Sequence, residues 1–321
     1  FLKRSYVTFL RFFSLSLKFL FILYLTKNIS VELFGEFGFL TSFIFFVSLI
    51  IGFESGTLES RRILDCNNIS DESKLYFGLF FDTFLMWIFI SAILFLFDLD
   101  IKNSILFMVL LISLFESLNA ELKKILISKN LNLFSCYIDL IRVSIWPIFF
   151  IFFTFFFNSN HIEFNLIFLF YLIATFLSFL FILFKLKPIF KIDYLKLSFS
   201  FFKNKIKILP FFLYGFILLF YEVVGRFILK YYGLYFDLGI YTFYSSLIFS
   251  ISLFIWSFNV SFEHRDILNL FKIQSYNKAH IKLFKLIKKS LFLYLLISIS
   301  IFIFIKLLVF FLNLSEYEIS L

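Results

Sequence analysis

The chain has 321 residues, 62% of them apolar and only 16% charged, and its mean hydropathy is +0.99. Globular domains are near half apolar and a quarter charged, so this balance excludes a soluble enzyme or binding module and reads as an integral membrane protein. The net charge of +9 comes from 30 Lys and Arg against 21 Asp and Glu, and its meaning depends on where those cations fall.

A helix needs about 20 apolar residues to cross the hydrocarbon core, and only helices or closed barrels satisfy their backbone there. Nine such runs follow in chain order, at 5–27, 34–53, 74–97, 104–126, 131–157, 163–185, 206–230, 237–260 and 288–312. They are too long for barrel strands. The chain opens on Phe1 rather than Met and lacks the pattern of a cleaved signal peptide. The first run is therefore expected to be a retained span, with residues missing upstream, and the chain is also expected to be cut just beyond Ser315–Leu321.

Short cytoplasmic loops collect Lys and Arg. With the N-terminus inside, 23 of the 30 fall on the cytoplasmic side. They are Lys3, Arg4 and Arg11; Arg61, Arg62 and Lys74; Lys123, Lys124 and Lys129; and seven each in 185–207 and 265–289. Only Lys27, Lys102 and Lys230 fall outside, while Lys18, Arg142, Arg226 and Lys306 lie within spans. The positive charge is thus a topology signal and not a nucleic-acid footprint. The two basic stretches would also lie against anionic membrane lipid.

The stretch Gly35–Ile50 returns as Gly239–Phe254, with seven identities in sixteen positions, including Gly35/Gly239, Phe39/Phe243, Ser42/Ser246 and Ser48/Ser252. Both copies open an even-numbered span running inward, so the repeat is parallel, as in many transporters. The glycines are expected to let the chain turn tightly out of an external loop and to let the next helix approach its neighbour. The expected fold is an all-α bundle of about nine transmembrane helices in two parallel lobes. An N-terminal six-helix lobe occupies 1–185, a basic linker 186–205, and a partial three-helix lobe 206–321.

Two phrases carry a resemblance. LTKNISVELFGEFGFLTSFIFFVSLIIGFESGTLESRRI resembles the first hairpin of the polysaccharide flippases of the multidrug/oligosaccharidyl-lipid/polysaccharide exporter superfamily, with an acidic residue and aromatic-Gly before span two. YEVVGRFILKYYGLYFDLGIYTFYSSLIFSIS is similar to that family's passage from span seven to span eight. Family members usually have twelve or fourteen spans, so nine implies a second lobe lacking its last helices. The resemblance implies alternating access, a cationic cavity between lobes that accepts the pyrophosphate of a lipid-linked oligosaccharide, and residence in the cytoplasmic membrane beside polysaccharide assembly enzymes.

Charges at membrane depth are expensive and mark function. Lys18 lies near the middle of span one, Glu222 and Arg226 stand at i, i+4 in span seven, and Asp139 and Arg142 at i, i+3 in span five. Asp82 and Glu116 have no local partner. Lys18, Arg226 and Arg142 are the candidates for the substrate's phosphates. Asp82, Glu116, Asp139 and Glu222 are read as ion-coupling groups or structural counter-charges, and Arg61 and Arg62 as topology anchors.

A membrane-embedded polysaccharide polymerase or ligase would need acid–base or nucleophilic groups gathered at one face. His161, His264 and His280 are scattered near loops, no external loop exceeds about ten residues, and no phosphate loop or metal motif occurs. Cys66 and Cys136 have no spacing for a metal or a disulfide framework. A carrier without cofactors is therefore expected. An organic-cation antiporter of the same superfamily is the nearer rival, and would use the acidic residues.

Overall fold

The computed structural model describes residues 2–66, 68–96, 101–129, 131–157, 163–186, 201–255, 267, 270, 273, 275–311 and 317. Its helices are α1 (Leu2–Asn28), α2 (Val31–Gly52), α3 (Ser55–Asp65), α4 (Ile69–Leu96), α5 (Asn103–Ser128), α6 (Asn132–Asp139), α7 (Trp146–Phe156), α8 (Phe164–Leu186), α9 (Phe201–Tyr231), α10 (Tyr235–Ile255) and α11 (Tyr276–Phe311). A π segment, Leu140–Ile145, joins α6 to α7 without interrupting the helical course. No strand occurs among the described residues.

Seven helical stretches are long and apolar enough to cross a membrane: Phe9–Asn28, Val31–Gly52, Asp71–Leu96, Asn103–Ser128, Asn132–Phe156, Phe164–Leu186 and Lys207–Tyr231. The chain is a helical, multi-pass membrane protein. The eighth and ninth expected spans fall on α10 and α11, which are helical but are not among these seven. Most of the expected linker, 187–200, lies outside the described residues, as do His161 and His264. Helix α3 is a correction, because the sequence reading placed a loop there.

Local chemistry sets the ends of α2. Ser30 caps its start, with Oγ accepting the Leu33 N–H at 3.3 Å, and Glu32 complements the helix dipole in the first turn. At the far end Phe53 and Glu54 both adopt the left-handed conformation, and the Phe53 N–H returns to the Leu49 carbonyl at 2.8 Å. Between α9 and α10 the chain reverses at Gly233, whose φ of +70° favours glycine.

Helix α2 is central, packing against α10, α5, α9 and α4. Its buried residues Phe34, Ile44, Val47 and Ile51 join Leu110, Ile112, Phe168 and Phe243 in the main apolar core. Ile63, Tyr76, Leu122, Ile138 and Ile182 form a second core toward the α2–α3 end of the bundle. Large exposed side chains such as Phe155, Phe156, Phe184 and Tyr221 suit a lipid-facing surface.

The repeat glycines are not turn residues. Gly35 and Gly239 lie one turn inside α2 and α10, neither has a positive φ, and they face each other where the two helices meet. A methyl on Gly35 would stand 2.7 Å from the Gly239 amide nitrogen and 2.9 Å from the Tyr235 carbonyl oxygen. A methyl on Gly239 would run into the Val31 carbonyl. Tyr235 follows Val31 by the same 204 positions by which Gly239 follows Gly35, so the contact is reciprocal. Close backbone approach, not turning, is what these glycines supply.

Candidate functional site

Two polar stripes on α5 organise the charged interior. Glu116, Asn119 and Lys123 share one face at i, i+3, i+7, and Ser117, Glu121 and Lys124 another at i, i+4, i+7.

The first stripe meets the π segment and α8. Glu116, only 3% exposed, accepts Arg142 Nη1 at 2.8 Å and the Tyr171 hydroxyl at 2.8 Å. Asp139 accepts Arg142 Nη2 at 3.5 Å and pairs closely with Lys123. Trp146 stacks on Tyr171 with centroids 5.2 Å apart, and Asn119 donates to the Thr175 carbonyl at 3.0 Å and to Ser178 Oγ at 2.7 Å. The result is a ladder, Lys123–Asp139–Arg142–Glu116–Tyr171, with two cations and two anions and hence no net charge. Glu116 therefore has partners that its own helix does not supply. Arg142, expected to meet phosphate, is engaged by Glu116 and Asp139, and its buried Nε alone has no partner. It sits in the π segment, a distortion frequent at functional sites. Ser144 in that segment donates to the Ser14 carbonyl at 3.1 Å and also bonds Ser14 Oγ, tying the segment to α1.

Lys18 projects from α1 one turn beyond Ser14. It is half-buried, and has no hydrogen-bond or ion-pair partner among the described residues. The charged groups acting on it are Arg226, Glu116 and Arg142. Since the ladder is neutral, Lys18 stands as excess positive charge in the middle of an apolar helix.

Arg226 on α9 is buried and makes no ion pair with Glu222, which corrects the expected i, i+4 bridge. The guanidinium instead reaches across to α2 and α10, donating to the Gly38 carbonyl at 3.3 Å, to Ser42 Oγ, to Ser245 Oγ at 2.8 Å and to Ser246 Oγ at 3.4 Å. Ser42 and Ser246 are repeat mates, so one arginine holds the matching hydroxyl from each copy. Glu222 acts on it only through space. Above it, Lys230 lies 3.7 Å from Glu36, donates to the Tyr235 hydroxyl at 3.1 Å and sits 4.4 Å over that ring.

The second stripe faces the α2–α3 corner. Glu121 accepts the Gly56 N–H at 2.5 Å, near the start of α3, and Lys124 bridges Glu121 at 2.9 Å and Glu54 at 2.7 Å. Phe53 stacks on Phe212 of α9 at 4.1 Å, and the Arg61 guanidinium lies 5.1 Å over Phe211. Arg62 pairs with Glu59 at 3.2 Å. The sequence reading missed this corner, although the Gly52-x-x-x-Gly56 spacing and the second α5 stripe were both visible signals.

Among the described residues no three His, Cys, Asp or Glu side chains gather as a metal site. Asp82 lies half-buried on α4, His280 is exposed on α11, Cys66 is half-buried and Cys136 buried. Compared with protein-family models, curated proteins and solved structures, the chain has no match in any of the three.

Proposed function

We propose that this protein is a carrier that moves a polyprenyl-pyrophosphate-linked oligosaccharide across the cytoplasmic membrane for surface polysaccharide assembly, by alternating access and without catalysis. In this reading nine spans form two parallel lobes, the second incomplete, with the N-terminus in the cytoplasm. The 23-to-3 distribution of Lys and Arg supports the orientation. The reciprocal Gly35–Gly239 contact and the shared serines of Arg226 support the parallel repeat.

The observation that carries the reading is Lys18. A cation at the bilayer centre costs about 2.5–3.5 kcal/mol on insertion scales, and here the neighbouring ladder is already balanced. An anionic head entering beside α1 supplies the missing counter-charge, and the unpartnered Arg142 Nε offers a further donor. Arg226 serves as the pivot joining α2, α9 and α10, and its buried Nε has no partner among the described residues. An inside-negative potential drives an anion outward by about 2.3 kcal/mol per charge per 100 mV.

The test is surface glycan at matched protein levels. Lys18→Ala should abolish delivery while leaving insertion intact, and Lys18→Arg, which keeps the charge in another shape, should retain part of it. Full delivery by Lys18→Ala overturns the reading. Export of organic cations that survives in that variant favours the antiporter.

A further inference from the structure

Helix α11 is 36 residues long, about 54 Å at 1.5 Å per residue, against about 30 Å of hydrocarbon. Residues 290–305 carry no charge and supply the apolar part. The preceding fourteen, 276–289, continue the same helix beyond it by about 21 Å. In that extension Lys278, Lys282, Lys285 and Lys289 recur at i, i+4, i+7, i+11, which places them on one stripe, with Lys288 beside it. No acidic residue occurs anywhere in α11.

Besides Asn277 and His280, the rest of the extension is largely apolar. Ile281, Phe284 and Ile287 are 59%, 70% and 47% exposed, while Ala279 is fully buried and anchors the segment. A soluble acidic partner would account for the lysines and leave those apolar side chains in water. A membrane interface accounts for both, because lysine stems lie along apolar surface while their heads reach phosphate.

We propose that 276–289 is an interfacial clamp in which the lysine stripe binds the phosphates of anionic phospholipids in the adjoining leaflet, while Ile281, Phe284 and Ile287 rest at the headgroup boundary. The clamp fixes the depth and tilt of α11. It rests on the proposed crossing of the membrane by α11, and not on the identity of the cargo.

The test uses the whole chain in nanodiscs of phosphatidylcholine, with or without phosphatidylglycerol, treated with a water-soluble lysine-acylating reagent and read by mass spectrometry. Reactivity at Lys285, Lys288 and Lys289 should fall about fivefold each in the anionic discs and recover at 1 M salt, where screening is nearly complete. An apolar carbene reagent should label 291–300 in both discs, so that loss of the span is distinguished from loss of the clamp. Equal lysine reactivity in both discs overturns the proposal. Protection that appears only on adding polyprenyl pyrophosphate or a soluble polyanion overturns it as well.

Discussion

Replacing Gly35 by Ala inserts a single methyl at the point where α2 and α10 touch. That methyl would meet the Gly239 nitrogen at 2.7 Å and the Tyr235 oxygen at 2.9 Å, both backbone atoms that no rotamer change can move. Restoring an ordinary contact of 3.4 Å requires the helices to part by about 0.7 Å there, and overpacking of this kind costs roughly 1–3 kcal/mol. Gly78 on α4 is the control, since nothing lies within 4 Å of a methyl placed on it. Both substitutions gain the same helix propensity, about 0.8–1 kcal/mol, so the difference between them isolates the packing cost. Thermal unfolding of the purified protein, followed by the fluorescence of its three tryptophans at one scan rate, reads that difference. At roughly 2–4 °C per kcal/mol, Gly35→Ala should melt several degrees below Gly78→Ala. Gly239→Ala, whose methyl would overlap the Val31 carbonyl oxygen, should melt below Gly35→Ala, and the double variant should cost less than the sum of the two. A Gly35→Ala protein that melts with or above Gly78→Ala would refute the reasoning.

Arg226→Lys should destabilise nearly as much as Arg226→Ala, by about 2–4 kcal/mol in either case, because one ammonium cannot span Gly38, Ser42, Ser245 and Ser246 together. Adding Glu222→Gln should rescue neither, since the two residues share no ion pair; thermal midpoints of the four variants check this, and recovery in the double variant would restore the simple bridge. Glu116→Ala should cost about 3–5 kcal/mol by stranding the buried Arg142 guanidinium, whereas Glu116→Gln, which still accepts from Tyr171, should cost less. Equal midpoints for those two variants would show that the neutral acceptor kept in Glu116→Gln contributes nothing and that the ladder depends on the charge alone.

Seven of the expected spans were legible in the sequence because lipid demands long apolar runs, and their helices follow the expected bounds to within about five residues, whereas α11 begins well before the expected ninth run. Helix α3 was not legible, since 55–65 is short, polar and held by Glu121 and Phe211 from other helices. The importance of Glu116 and Arg142 could be read from their depth, but their pairing could not, because the partners lie 26 positions apart on neighbouring helices. Tyr171 was hidden among 16 tyrosines and 59 phenylalanines. The repeat register was visible as identities, and of the two tasks expected of the glycines the close helix approach is what the structure shows while the tight turn is not. A loop was expected before each, and the helices begin four residues earlier than the expectation placed the bend.

The contact between Gly35 and Gly239 is made by backbone alone, and this bears on how such a chain can change over evolutionary time. A genome drifting toward Phe, Ile, Lys and Asn codons can exchange nearly every lipid-facing side chain without touching that crossing, provided two positions stay glycine. The helix crossing thus rests on two residues, and the lipid-facing surface can be rewritten around it.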